Sequence, residues 1–187
     1  MKIQRDSLQY FLMLLLLSAI WGGAFLFMRV AGPDFGPIFL IALRVWISAV
    51  LLVAVAHFAG GLPDFRKNWK AFLLLGAINN AIPFTLIASA VLVLNSSMAA
   101  IINATTPLFT AIVAAAFGLE RFTARKGLGG LLGILGVVIL MGFSPLPLNQ
   151  RTILAALESL LAAVAYAFGA VYVRARFQGF TPLQVSA

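Results

Sequence analysis

Six stretches of this chain are each long and apolar enough to cross a lipid bilayer as an α-helix: residues 8–30, 37–59, 70–94, 97–118, 127–143 and 153–173. A spanning helix needs about 20 apolar residues, and all backbone groups within it are paired internally. No connector between the stretches is long enough for a soluble domain. The expected fold class is therefore an all-α integral membrane protein with about six transmembrane helices. Composition agrees. Of 187 residues, 63% are hydrophobic and 10% are charged, where soluble domains carry roughly a quarter charged residues. The bilayer is the implied partner.

The net charge of +8 does not point to nucleic acid. The basic residues sit in short connectors rather than along one face. Their distribution instead sets an orientation. Lys2, Arg5, Arg66, Lys67, Lys70, Arg121, Arg125, Lys126, Arg174 and Arg176 all fall on one side of the membrane. Only Arg29 and Arg151 fall on the other, and Arg44 lies inside the second stretch. By the positive-inside rule the N-terminus is cytoplasmic. Lys2 and Arg5 ahead of an apolar run resemble a signal peptide, but the run continues through Trp21 to Val30, about twice the usual length. It is expected to remain as a membrane helix. With no cysteine and one histidine, no metal site, cofactor or catalytic constellation is expected. His57, at the cytoplasmic end of helix two, is expected to be interfacial. Glu120 and Arg121 are expected in a solvated loop.

The sixth helix repeats the first 145 positions later without a gap. Trp21 falls on Tyr166, Phe27 on Tyr172, Arg29 on Arg174, Phe35 on Phe180 and Pro37 on Pro182. Helix one begins inside and helix six outside, so the pattern recurs upside down, as in inverted-repeat carriers. The first repeat is expected to span residues 1–145. Residues 146–187 would then begin the second repeat and leave it incomplete.

Polar residues inside the apolar runs mark a candidate cavity. Pro83 follows Asn79 by four residues, and Pro107 follows Asn103 by four. Proline cannot donate to the carbonyl four positions back, so both helices are expected to kink and free a carbonyl. Asn79 and Asn80 lie about 14 Å from the start of helix three, and Thr106 lies at a similar depth in helix four. Unpaired backbone at that depth is tolerated inside protein or against a water-filled cavity. Asn79, Asn80, Asn103, Thr106, Trp21 and Tyr166 are the candidate cavity residues. The alternative for the polar ones is interhelical hydrogen bonding that only holds the bundle together. For the two aromatics it is lipid or core packing. Arg44 and Glu158 are the intramembrane charges, each about 9 Å deep, and an ion pair between them is one option. Gly129 and Gly133, extended by Gly130 and Gly136, form a step suited to close helix packing, against a helix of this chain or of a second copy. Asn95, Ser96 and Ser97 form a tight link with good N-cap residues.

These pieces resemble the drug/metabolite transporter superfamily, in particular its EamA-type members. The resemblance rests on Trp21-Gly22-Gly23-Ala24-Phe25, on Pro37 with Arg44, and on the segment from Ser96-Ser97 through Ala99-Ala100-Ile101 and Pro107-Leu108 to Leu119-Glu120-Arg121. The glycine-rich stretch 127–142 completes it. It implies ten helices in two five-helix repeats, a central cavity between them, and passage of small metabolites or drug-like molecules across the cell inner membrane by alternating access. It also implies that the missing C-terminal helices or a second copy complete the cavity. A membrane enzyme has no supporting motif. A non-transporting scaffold or assembly subunit is the remaining alternative.

Overall fold

The structure is a computed structural model and describes residues 2–59, 61–62, 65–142, 147 and 149–186. The described residues are almost entirely helical: α1 (Lys2–Phe35), α2 (Pro37–Phe58), α3 (Phe65–Gly76), a π-helical segment (Ala77–Ala81), α4 (Ile82–Val93), α5 (Ser96–Asn103), α6 (Thr106–Ala116), α7 (Ala124–Gly142), α8 (Gln150–Arg176) and α9 (Pro182–Ser186). By length and composition, five spans can cross a membrane: Leu8–Phe35, Pro37–Phe58, Phe65–Val93, Ser96–Ala116 and Gln150–Arg176. The expected fifth span is present as the 19-residue α7 but is not among these five. Its expected last residue, Phe143, lies outside the described residues. The exposed surface is apolar to a degree water does not tolerate. Phe39, Trp46 and Phe58, for example, are 58%, 72% and 88% exposed, as suits side chains facing lipid.

Helix ends depart from the apolar boundaries because capping, not hydropathy, sets them. The Asn149 side chain accepts a hydrogen bond from the Thr152 backbone N–H at 3.0 Å, so α8 starts three residues before its apolar run. Arg174 and Arg176 occupy its last turn, where cations suit the helix dipole. Asn95 caps α5 as expected, accepting from the Met98 N–H at 2.7 Å. Helices α1 and α2 are joined by Gly36 alone, whose φ of 71° is cheap only for glycine. Pro37 then opens α2 at a position that needs no N–H donor. Helix α6 ends in a Schellman motif. The Gly118 N–H donates to the Ala115 carbonyl and the Leu119 N–H to the Ala114 carbonyl, with Gly118 at φ 69°.

Both prolines deform their helices, each in its own way. Ahead of Pro83 the chain widens into the π-helical segment, where the Ile82 N–H reaches back five residues to the Ala77 carbonyl. Ahead of Pro107 the helix breaks outright at Ala104 and Thr105. There the Thr106 hydroxyl donates to the Asn103 carbonyl at 2.6 Å, and the Thr105 hydroxyl to the Ile102 carbonyl at 2.6 Å. The carbonyl that Pro107 leaves without a partner is thus satisfied locally by a threonine, rather than left open as expected.

Helix α8 is the centre of the bundle, packing most extensively on α4 and then on α6. Its buried face carries small residues, including Ala155, Ser159, Ala163 and Ala167 at four-residue spacing, which lets helices approach closely. At Gly169 a Cβ would come within 2.5 Å of Asn79 Oδ1, so α8 meets the π-helical segment directly. In α7, Gly130 packs on Leu108, whereas a methyl placed on Gly129 or Gly133 would meet nothing within 4 Å. The expected close-packing step is therefore taken up by Gly130 within this chain. Outside the spans, Lys126 pairs with Glu120. The hydrogen bond and charge of Lys126 hold that carboxyl below its ordinary value. His57 is exposed in the last turn of α2, with its ring against Phe58.

Arg29, counted from sequence only as a charge on the outer side, is a clamp. Its guanidinium donates to the carbonyls of Val91 and Leu94, the latter at 2.9 Å. These lie at the C-terminal end of α4, where helix carbonyls lack intrahelical partners. The Ser96 hydroxyl also reaches the Phe25 carbonyl at 3.4 Å. Helix α1 is thereby fastened to the link between α4 and α5.

Candidate substrate cavity

Residues from α1, α2, α4, α5 and α8 enclose a cavity of about 120 Å³. At about 30 Å³ per molecule it has room for roughly four waters. Trp21, Arg44, Phe84, Asn103 and Tyr166 supply its polar and aromatic lining. Phe25, Met28 and Ile87 are among its apolar residues. Tyr166 is the junction: its ring centroid lies 6.5 Å from that of Trp21 and 5.9 Å from that of Phe84. The Arg44 guanidinium sits over the Phe84 ring, 4.3 Å from its centroid, a cation–π contact.

Among the described residues, the buried side-chain oxygens Asn103 Oδ1, Tyr166 Oη and Ser159 Oγ have no hydrogen-bond partner. The first two belong to cavity residues; Ser159, on α8, does not line it. Each such group costs about 1–3 kcal/mol when left unpaired. Two of them around one void mark a place where a polar guest or water is stabilising.

Four residues singled out from sequence thus converge: Trp21, Arg44, Asn103 and Tyr166. Others do not join them. Asn79 faces Gly169, and neither Asn79 nor Asn80 lines this cavity. The Thr106 hydroxyl is occupied by the Asn103 carbonyl. Glu158 is half-buried and away from the cavity, and no ion pair joins it to Arg44 among the described residues. Pro83 is buried, beside the Phe84 that lines the cavity. Phe84 was not singled out from sequence, because spacing within one helix does not report which residue of another helix it meets.

A helical bundle with several membrane-length helices that turn apolar side chains outward is a multi-pass membrane protein. The chain belongs to the EamA-like transporter family, whose model matches residues 8–142. It is 28% identical over 172 residues to the uncharacterized inner membrane transporter YedA of Escherichia coli, covering 90% of this chain and 54% of that protein. It is 25% identical over 183 residues to the uncharacterized transporter YdfC of Bacillus subtilis, covering 96% and 59%. It is 20% identical over 171 residues to the uncharacterized transporter YoaV of the same organism, covering 91% and 59%. The chain therefore spans between 54% and 59% of the length of these relatives. No solved structure gives a significant match.

Proposed function

We propose that the chain forms the first five-helix repeat and the opening helix of the second in a ten-helix secondary transporter. That transporter moves small metabolites or drug-like molecules through the Trp21–Arg44–Asn103–Tyr166 cavity by alternating access. The observation that carries this reading is the pair of unpartnered buried oxygens around one partly open cavity between helices. A second observation supports the repeat. Trp21 and Tyr166, which occupy equivalent positions 145 residues apart, meet at the same cavity with their rings tilted by 49°, as mates near a two-fold axis in the membrane plane would come together. Pro182, the equivalent of Pro37, likewise opens a helix. The remaining helices, or a second copy, complete the cavity and supply the half against which this one moves. A scaffold that moves nothing would gain nothing from burying those oxygens unpaired.

Proteoliposomes holding the chain extended to the length of its relatives, loaded with a mixed metabolite extract, test the reading. Mass spectrometry of the external medium should show specific metabolites leaving, and Trp21→Ala or Tyr166→Ala should slow that efflux at least ten-fold. Efflux no greater than from protein-free liposomes contradicts transport.

We also place the N-terminus in the cytoplasm, on the ten-to-two distribution of basic residues. In this cysteine-free chain, an impermeant thiol reagent outside whole cells should label Ser97→Cys and spare Arg66→Cys. The opposite pattern inverts the topology.

A further inference from the structure

Resting on the cavity reading, we propose that this site selects a small organic anion, a carboxylate on a flat apolar body, and that Arg44 is the residue that decides the sign of the charge. Arg44 is a permanent cation on a helix that meets the length and composition of a membrane span. Among the described residues none of the five donors in its guanidinium has a hydrogen-bond acceptor, and no carboxylate pairs with it. Its contact is the face of Phe84. A ring face compensates part of a desolvated charge, but it accepts no hydrogen bond in the guanidinium plane. That plane matches a carboxylate, which takes two parallel N–H donors.

The surroundings extend the match. The buried Tyr166 hydroxyl has no partner and can donate to the same anionic group. Trp21, Phe84 and Tyr166 present ring surface on which a planar body stacks. Asn103 Oδ1, also unpaired, accepts an O–H or N–H from the guest. A cation in the same place would face Arg44 across a medium of low dielectric, where like charges repel strongly.

The test uses three ligands of nearly the same shape: benzoate, benzamide and benzylammonium. Trp46→Phe and Trp69→Phe leave Trp21 as the sole tryptophan, so its fluorescence reports the cavity. Benzoate should quench Trp21 saturably at a concentration at least ten-fold below benzamide, and benzylammonium should bind more weakly than either. Arg44→Gln should weaken benzoate at least ten-fold while changing benzamide less than three-fold. Arg44→Lys, which keeps the charge, should retain the preference for benzoate. Saturable binding that ignores ligand charge, or that survives Arg44→Gln unchanged, overturns the anion assignment and leaves the cavity as a binding site. Absence of saturable quenching by all three ligands overturns the cavity reading as well.

Discussion

Arg29→Leu should destabilise the protein by about 3 kcal/mol or more, the largest loss expected from a single substitution outside the cavity. Two charged hydrogen bonds to the Val91 and Leu94 carbonyls disappear, each worth about 1.5–3 kcal/mol when the donor is ionised. Both residues are fully buried. Their carbonyls, left without that donor at a helix end, must draw on the few waters that reach them past the exposed link beside them. The apolar stem of leucine replaces packing but no donor. Arg29→Lys should recover part of the loss, because both bonds leave from one guanidinium nitrogen, Nη1, and an ammonium also carries several donors on one nitrogen, though at the end of a shorter and differently shaped side chain. Thermal unfolding in detergent micelles measures both variants. A shift for Arg29→Leu no larger than that of an exposed lipid-facing substitution such as Phe39→Leu would show that the clamp is incidental.

Arg29 also shows where sequence reasoning stops. Its position at the outer end of the apolar run made it a charge of the outer side by count. Nothing in the run itself says that α1 continues to Phe35, or that the end of α4 arrives within reach. The individual helices were legible, because length and apolarity are properties of one segment. Both prolines were legible as deformations, since the missing donor is local. Their form was not. A π-helical segment and a complete break are alternative answers to the same lost bond, and neighbouring residues choose between them. At Pro107 the flanking Thr105 and Thr106 hydroxyls satisfy the carbonyls and allow a break. At Pro83 the preceding residues widen the helix instead, and Asn79 lies against a glycine of α8.

The same division runs through the cavity. Trp21 and Tyr166 were found because they share a register 145 positions apart, and they meet. Arg44 and Asn103 were found because polar groups inside apolar runs are costly. Phe84 carries no such mark, being one apolar residue among many. Glu158 carries the mark and yet lies apart from Arg44, because depth along two helices says nothing about the faces they turn to each other. Asn103 itself is the residue through which the central claim is most directly reached.

Cysteine substitution at Asn103 should produce a thiol that reacts with a small water-soluble thiosulfonate at least ten-fold faster than one at Ala88. Both positions are buried, Asn103 at 8% exposed and Ala88 at 0%, so ordinary exposure predicts little reaction at either. What separates them is the cavity: Asn103 lines a void with room for water and two unpaired polar atoms, while Ala88 belongs to the packed core. Ser97→Cys, exposed in the first turn of α5, fixes the fast limit in the same preparation. If the site is a wet substrate cavity, the Asn103→Cys rate lies well above that of Ala88→Cys and falls when benzoate is present. A rate at Asn103→Cys equal to that at Ala88→Cys, with normal labelling of Ser97→Cys, would mean that the void is dry and closed, and would contradict the account.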